Sequence, residues 1–110
     1  LFFDILKINT PVIRSSEINV SGKKSEYILN LCKASGATQY ISGIFGSDYL
    51  DKSEFNIAGI PILIHDYKPI PYKQNFKNFT PYLSIIDLIF NQGSQAKKYI
   101  HCKANISKIW

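Results

Sequence analysis

The stretch that decides the fold is Ile60-Pro61-Ile62-Leu63-Ile64-His65, the most apolar run of the chain. A short, continuous run of branched apolar residues is typical of a strand that is buried on both faces. Proline is tolerated only near the start of such a strand because it donates no hydrogen bond to the ladder. These residues therefore predict a central strand.

Outward from this strand, helix and strand signals alternate. Residues 37–42 (ATQYIS) predict a second buried strand, and residues 23–35 before it place apolar side chains at helical spacing. Gly36 follows this predicted helix, at the position where helices commonly end with a glycine in the left-handed conformation. A short helix is expected at about 50–57, ended by Gly59. The alternation predicts an α/β fold with a short, mostly parallel sheet and flanking helices, as part of a larger α/β domain.

The segments on either side are less regular. Residues 10–15 (TPVIRS) are β-branched and predict an extended strand. Residues 66–80 have no helical pattern and contain prolines and aromatic residues, which predicts an ordered, extended loop. Thr80 and Pro81 predict the start of another helix, as its N-cap and first residue, and that helix is expected to run to Asn91.

Length and composition limit the class of protein. The chain has 110 residues, of which 45% are hydrophobic and 19% are charged, so one core is expected and a disordered tail is excluded. No apolar run approaches the roughly 18 residues that a membrane-spanning helix needs. The chain starts with Leu1 and contains no Met. We therefore expect either a single α/β domain or the C-terminal fragment of a longer, cytoplasmic protein.

The net charge of +5 is unevenly distributed. Residues 1–87 contain nine basic side chains and all eight acids, whereas residues 88–110 contain four lysines and no acid. Lysines spaced along a terminal segment are more often a solvated face than a nucleic-acid interface. We therefore predict that residues 94–110 form a basic, helical tail and that the chain does not bind nucleic acid.

The two cysteines, Cys32 and Cys102, are far apart in the sequence. A structural zinc site usually requires pairs of ligands that are close in sequence, so no metal site is predicted. Reduced thiols of a cytoplasmic protein are expected instead, and Cys32 is assigned to the core because it lies on an apolar helix stripe. Nothing in the sequence predicts a cofactor.

Spaced residues along most of the chain match the signatures of one protein family. The central signature is matched by Gly36-Ala37, Tyr40 to Gly43, Gly46, Tyr49 to Asp51, Phe55 and Gly59-Ile60. The closing signature is matched by Tyr67, Pro71-Tyr72, Gln74, Phe79, Pro81, Leu83 to Asp87, Phe90-Asn91 and Gly93. The lead-in is matched by Ser15 to Glu17 and Gly22 to Lys24. This order of residues resembles the C-terminal half of WbqC-like proteins, which are encoded in bacterial surface-polysaccharide loci.

The resemblance implies a function and a set of partners. It implies a transferase-type role in the biosynthesis of O-antigen or related surface polysaccharide, acting on a nucleotide-activated amino sugar. A non-catalytic module that binds carbohydrate or protein is the alternative, so whether the chain is an enzyme stays open. The implied partners are a sugar or nucleotide-sugar ligand and either the family's N-terminal half or a second copy of the chain.

Two residues are candidates for catalysis, His65 and Asp87. His65 ends the strongest predicted strand, where a general base of a parallel-sheet enzyme would lie, although a structural imidazole fits the same place. Asp87 falls among apolar residues, and a buried carboxylate needs a partner. Solvent, the Tyr72 hydroxyl, a loop backbone and a ligand are the alternatives for that partner.

The candidates for substrate binding are Ser15, Ser16, Ser42, Gly43, Gly46, Asp48, Tyr49, Asp51, Tyr72 and Gln74. Glycines allow backbone N–H groups to approach a ligand, but Gly43 and Gly46 also fit a tight turn. Asp48 and Asp51 are acceptors for sugar hydroxyls, although acids in this position more often stabilise a helix N-terminus.

The remaining candidates extend this set. The Tyr72 ring can stack on a sugar and the Gln74 amide can pair with its hydroxyls, although a plug that holds the loop is the structural alternative. Ser15 and Ser16, with the lysines that follow them, are candidates for an anion site. Because parallel strands deliver their loops to one edge of a sheet, the site is predicted where the turn at 42–51 meets His65 and the loop of Tyr72 and Gln74.

Overall fold

A computed structural model describes residues 1–100 and the strand at residues 105–108. The chain forms two compact units. The sheet unit comprises Val12–Asp66 and Asn105–Trp110, and the loop–helix unit comprises Leu1–Pro11 and Tyr67–Ala104.

The sheet has three strands: β1 (Tyr40–Gly43), β2 (Ile62–Asp66) and β3 (Asn105–Lys108). Their order is β1-β2-β3, so the predicted central strand is confirmed. β1 and β2 are parallel, with Gly43 level with His65, and β3 is antiparallel to β2. The α/β class and the parallel pairing agree with the sequence analysis.

The helices are α1 (Phe2–Ile5), α2 (Lys24–Ala34), α3 (Lys52–Ile57), α4 (Ile85–Gln92) and α5 (Lys97–Ile100). Short 3₁₀ turns occur at Ser15–Glu17, Ile44–Asp48 and Gly93–Gln95. α2 and α3 belong to the sheet unit and end as predicted. Gly36 and Gly59, at φ values of 66° and 70°, adopt the left-handed conformation that glycine accepts without a Cβ penalty. None of the helices in residues 1–100 is long and apolar enough to cross a membrane.

The core of the sheet unit lies between one face of the sheet and the two helices. Phe55 of α3 and Ile62 of β2 are fully buried, and the Phe55 ring lies 5.7 Å from that of Tyr40. Cys32 of α2 is a buried free thiol, as predicted, and its burial raises its pKa. Along β1, side chains alternate in the usual way of strands, so Ser42 faces the core whereas Ile41 is 55% exposed.

The loop–helix unit has its own small core. It is formed by Leu6, Leu88 and Ala96, with Tyr72 and Ile89 packed against them. Burying these side chains requires the loop of residues 67–84, which contains no helix or strand, to lie against α4. This loop confirms the prediction for residues 66–80.

The predicted start of the last long helix, at Thr80 and Pro81, is wrong. α4 begins at Ile85, and its N-cap is Ser84, whose hydroxyl accepts the Ile86 N–H at 3.2 Å. Thr80 lies in the loop before the helix, where its N–H donates to the Gln74 side chain at 2.8 Å. Tyr82 then adopts a positive φ of 60°, which a helix excludes.

Residues 10–15 form no strand in the described structure. Val12 and Ile13 are exposed, so the β-branched pattern there is not supported by burial. The tail differs in part as well: Lys97–Ile100 are helical, but Asn105–Lys108 pair with the edge of β2. Cys102 lies outside the described residues.

Candidate functional site

The sheet unit contains a groove of about 560 Å³ between α2 and α3. Its lining is polar and charged around a single buried leucine, and consists of Lys23, Lys24, Ser25, Glu26, Leu29, Asn30, Lys33, Tyr49, Asp51 and Glu54. The volume lies within the range of small-molecule sites. Two of the predicted substrate-binding residues, Tyr49 and Asp51, therefore line this groove.

One wall of the groove is built by α2, with Lys23 and Lys24 at its N-terminal end. The N-cap residue, Lys23, makes no side-chain hydrogen bond to the helix. The first backbone N–H groups of a helix have no partner within it, so this end offers donors and the positive end of the helix dipole. Lys23, Lys24 and Lys33, the last in the final turn of α2, are exposed and line the groove. Glu26, Asp51 and Glu54 line it as well, so lysines and acids are equal in number there.

The opposite wall is built by the start of α3. The Asp51 carboxylate accepts the N–H groups of Ser53 at 3.0 Å and Glu54 at 3.3 Å, so it is the N-cap of α3. The Asp51 N–H in turn donates to the Ser25 hydroxyl at 2.7 Å, which joins α3 to α2. The capping interpretation of Asp51 is confirmed. Asp48 is exposed and accepts the Ser47 hydroxyl at 3.2 Å.

Three hydroxyl groups lie together near the groove. Ser42 is 4% exposed and shares a hydrogen bond of 3.4 Å with the Tyr49 hydroxyl. Burial raises the pKa of Tyr40, and the neighbouring Tyr49 raises it further. Ser42 and Tyr49, two of the predicted substrate-binding residues, therefore form one hydroxyl cluster with Tyr40, and Tyr49 connects this cluster to the groove.

The two glycines of the turn have different roles. Gly43 has a φ of −71°, and a Cβ built on it meets nothing within 4 Å. Gly46 is buried, and a Cβ there would lie 2.8 Å from the Ser42 Cβ and 3.2 Å from Leu50 Cδ1. Close packing therefore requires glycine at 46, whereas local geometry permits other residues at 43.

In the loop–helix unit, three predicted site residues meet. Asp87 of α4 accepts hydrogen bonds at Oδ2 from the Tyr72 hydroxyl at 2.6 Å and from the Gln74 amide at 3.0 Å. Among the partners considered for Asp87, the Tyr72 hydroxyl is the one observed. Burial raises the pKa of Tyr72, and its hydrogen bond to the carboxylate raises it further because the carboxylate favours the protonated phenol.

Three residues that the sequence analysis did not propose for the site complete this Asp87 network: Asn75, Thr80 and Asn91. Asn91 donates to Asp87 Oδ1 at 3.1 Å and accepts the Asn75 N–H, also at 3.1 Å. The Gln74 amide also donates to the Thr80 carbonyl at 3.1 Å and accepts the Thr80 N–H. The spacing of four residues between Asp87 and Asn91 on one helix was the available signal. Every member of the network thus has a protein partner.

The other candidates have these places. Ser15 and Ser16 form an exposed 3₁₀ turn, and His65 is half-buried on β2. Ser42 and His65 belong to the sheet unit, whereas Tyr72 and Gln74 belong to the loop–helix unit. The single site predicted from all four residues stays a prediction. Within the described residues, no three His, Cys, Asp or Glu side chains are grouped so that they could hold a metal ion.

A parallel β-α-β unit with a polar groove beside it defines a small α/β protein. The model of the WbqC-like protein family matches residues 1–99, and the chain belongs to this family. Its resemblance to the family signatures is thereby confirmed.

A curated relative and the solved structures complete the comparison. The chain is 35% identical over 100 residues to the uncharacterized protein Rv1507c of Mycobacterium tuberculosis. The match covers 89% of this chain and 43% of the relative, so the chain spans less than half of the relative's length. No solved structure matches the chain.

Proposed function

We propose that this chain binds a nucleotide-activated sugar in the groove between α2 and α3, as part of a transferase-type protein of surface-polysaccharide biosynthesis. The observation that carries the proposal is one groove of about 560 Å³ whose lining combines three lysines with hydroxyl, amide and carboxylate groups. A sugar nucleotide combines a diphosphate with hydroxyl-rich rings, so it needs cationic and hydrogen-bonding groups in one place.

The phosphates are assigned to the N-terminal end of α2, at Lys23 and Lys24. Lysine ammonium groups and the uncapped first turn of α2 both favour a negative charge. The Asp51 carboxylate opposite them already accepts two backbone N–H groups, so its charge is partly engaged by α3. The sugar hydroxyls are assigned to the Tyr49 and Asp51 side of the groove.

The experiment is a calorimetric titration of the chain with UDP-N-acetylglucosamine. Lys23→Glu combined with Lys24→Glu should weaken binding by about tenfold or more because two charge-assisted contacts become repulsive. Lys73→Glu combined with Lys77→Glu, an equal charge change at two exposed lysines of the loop–helix unit, is the matched control and should bind as the parent does. Equal weakening by the control, or unchanged binding by the double variant, would contradict the proposal.

A non-catalytic module that binds carbohydrate is the second candidate. It is favoured by the position of the two catalytic candidates, since neither His65 nor Asp87 lines the groove. Asp87 also accepts hydrogen bonds at both of its carboxylate oxygens. Release of UDP from the same probe in the presence of the chain separates the two candidates: turnover that is lost in His65→Ala supports the transferase, and binding without turnover supports the module.

A further inference from the structure

The loop–helix unit contains a second cavity, a cleft of about 290 Å³. Four aromatic side chains line this aromatic cleft, together with apolar residues of α4 such as the buried Leu88: Tyr67, Tyr72, Phe79 and Tyr82. None of the described residues that line it is charged. The cleft therefore suits a small neutral ligand, because an ion would lose its hydration there without gaining an ionic partner.

The inner wall of the cleft is held in place before any ligand arrives. The Tyr72 ring packs edge-on against Phe79, with ring centroids 5.3 Å apart. The Tyr72 hydroxyl is bound to Asp87 at 2.6 Å, so the ring cannot turn without breaking that bond. A ligand that contacts this wall therefore loses no binding free energy to ordering of the Tyr72 side chain.

The outer wall contains a strained residue. Tyr82 has a φ of 60°, a left-handed conformation that is unfavourable for a non-glycine residue. Its side chain is 71% exposed, so burial of the ring does not offset that cost within the chain. Strained residues of this kind cluster at ligand-binding positions, where the conformation serves contact with the ligand.

The polar groups of the cleft lie beside these rings. The Ser84 hydroxyl accepts the Ile86 N–H, which leaves its own proton available to a ligand. Tyr82 adds a phenol, which can both donate and accept. A ligand that contacts both the aromatic rings and the hydroxyl groups must have an apolar face and a polar edge. A pyranose ring has both, because its axial C–H groups form an apolar face and its equatorial hydroxyls form a polar edge.

We infer that the aromatic cleft binds one neutral sugar ring, stacked on the exposed face of Tyr82. The volume, at the lower end of the range for ligand sites, fits a single ring rather than a chain of sugars. The identification of that sugar as the acceptor of a transfer reaction rests on the proposed function, whereas the binding itself does not.

The test is a titration of the isotope-labelled chain with methyl N-acetylglucosaminide, followed by amide chemical shifts. Tyr82→Gly should weaken the apparent affinity by about tenfold through loss of the stacking ring. Its midpoint of thermal unfolding should be no lower than that of the parent, because glycine accepts a positive φ without strain. Phe76→Ala is the matched control, since Phe76 is an exposed aromatic residue of the same loop (64%) that does not line the cleft.

The other outcomes overturn the inference. They are an absence of shifts with the glycoside, equal weakening by Phe76→Ala, and binding of cyclohexanol in place of the glycoside, which would indicate a purely apolar site. The double variant Lys23→Glu, Lys24→Glu should bind the glycoside normally. A failure of the nucleotide-sugar proposal would therefore leave this result intact, and the reverse also holds.

Discussion

The Tyr72 hydroxyl donates a 2.6 Å hydrogen bond to the carboxylate of Asp87. This bond joins a loop without regular structure to the helix that follows it. A loop of this kind has no backbone ladder to fix it, so side-chain hydrogen bonds determine its position. The Asp87 network is therefore the feature on which the shape of the aromatic cleft depends.

Asp87→Asn should destabilise the chain by about 1–3 kcal/mol. Both carboxylate oxygens accept hydrogen bonds from Tyr72, Gln74 and Asn91, and an amide replaces one acceptor with a donor that faces another donor. The measurement is the free energy of unfolding by urea. Asp48→Asn is the control, because Asp48 is exposed and, among the residues that the structure describes, hydrogen-bonds to the neighbouring Ser47 alone. Equal stability of the two variants would show that the network adds nothing.

The stability of the loop–helix unit should fall as the pH rises above about 10, the ordinary pKa of tyrosine. The pKa of Tyr72 is raised in the folded chain by burial and by the bond to Asp87. A raised pKa in the folded state contributes stability that is fully present at pH values below the unfolded-state pKa. This stability is lost as the pH rises through the folded-state pKa.

Tyr72→Phe isolates this effect. The pKa of Tyr40 is raised as well, so the parent loses stability in alkali from both groups. The variant should be less stable at neutral pH but should lose less on going to high pH, as measured by the unfolding midpoint across the pH series. Parallel curves for parent and variant would be inconsistent with a raised pKa at Tyr72.

Ser84→Ala should cost about 0.5–2 kcal/mol of unfolding free energy, as is usual for the loss of an N-cap. The Ser84 hydroxyl accepts the Ile86 N–H at the first turn of α4. Thr80→Ala should cost little, because Thr80 takes part in the loop through its backbone N–H and carbonyl. The measurement is a urea titration of both variants. A larger loss of stability in Thr80→Ala than in Ser84→Ala would indicate that the helix starts at Thr80, as the sequence predicts.

These two positions illustrate what the sequence can predict. Both Thr80-Pro81 and Ser84 satisfy the local rules for a helix start. The choice between them depends on Gln74, which binds the Thr80 backbone from six residues away. Local rules do not include such a contact. By contrast, β2 is a buried apolar strand and the ends of α2 and α3 are set by glycines, so the sequence predicts all three elements correctly.

The candidate site, too, contains residues that local sequence patterns predict and residues that they do not. Tyr49 and Asp51 were predicted from their place after a strand, and both line the groove. Ser25 and Lys33 were missed because they face the groove only after α2 packs against α3. The tail strand was missed for a related reason, since a pairing between residues so distant in sequence leaves no local periodicity.

Gly46→Ala should destabilise the sheet unit by about 1–3 kcal/mol through overpacking. Its new Cβ would approach the Cβ of Ser42 to 2.8 Å, closer than real contacts allow. Gly43→Ala should leave stability within about 0.5 kcal/mol of the parent, since its Cβ meets nothing and its φ is negative. The comparison of the two variants uses the same substitution at neighbouring positions of one turn.

A second substitution tests whether the Ser42 contact is the cause. In the Gly46→Ala background, Ser42→Gly removes both the hydroxyl and the Cβ that the new methyl group would meet, so part of the lost stability should return. In the parent, Ser42→Gly alone should destabilise, because it removes a buried side chain and adds flexibility to β1. A non-additive pair of effects in urea titrations confirms direct packing of the two residues; simple addition would mean that residue 46 is constrained by Leu50 or by the backbone instead.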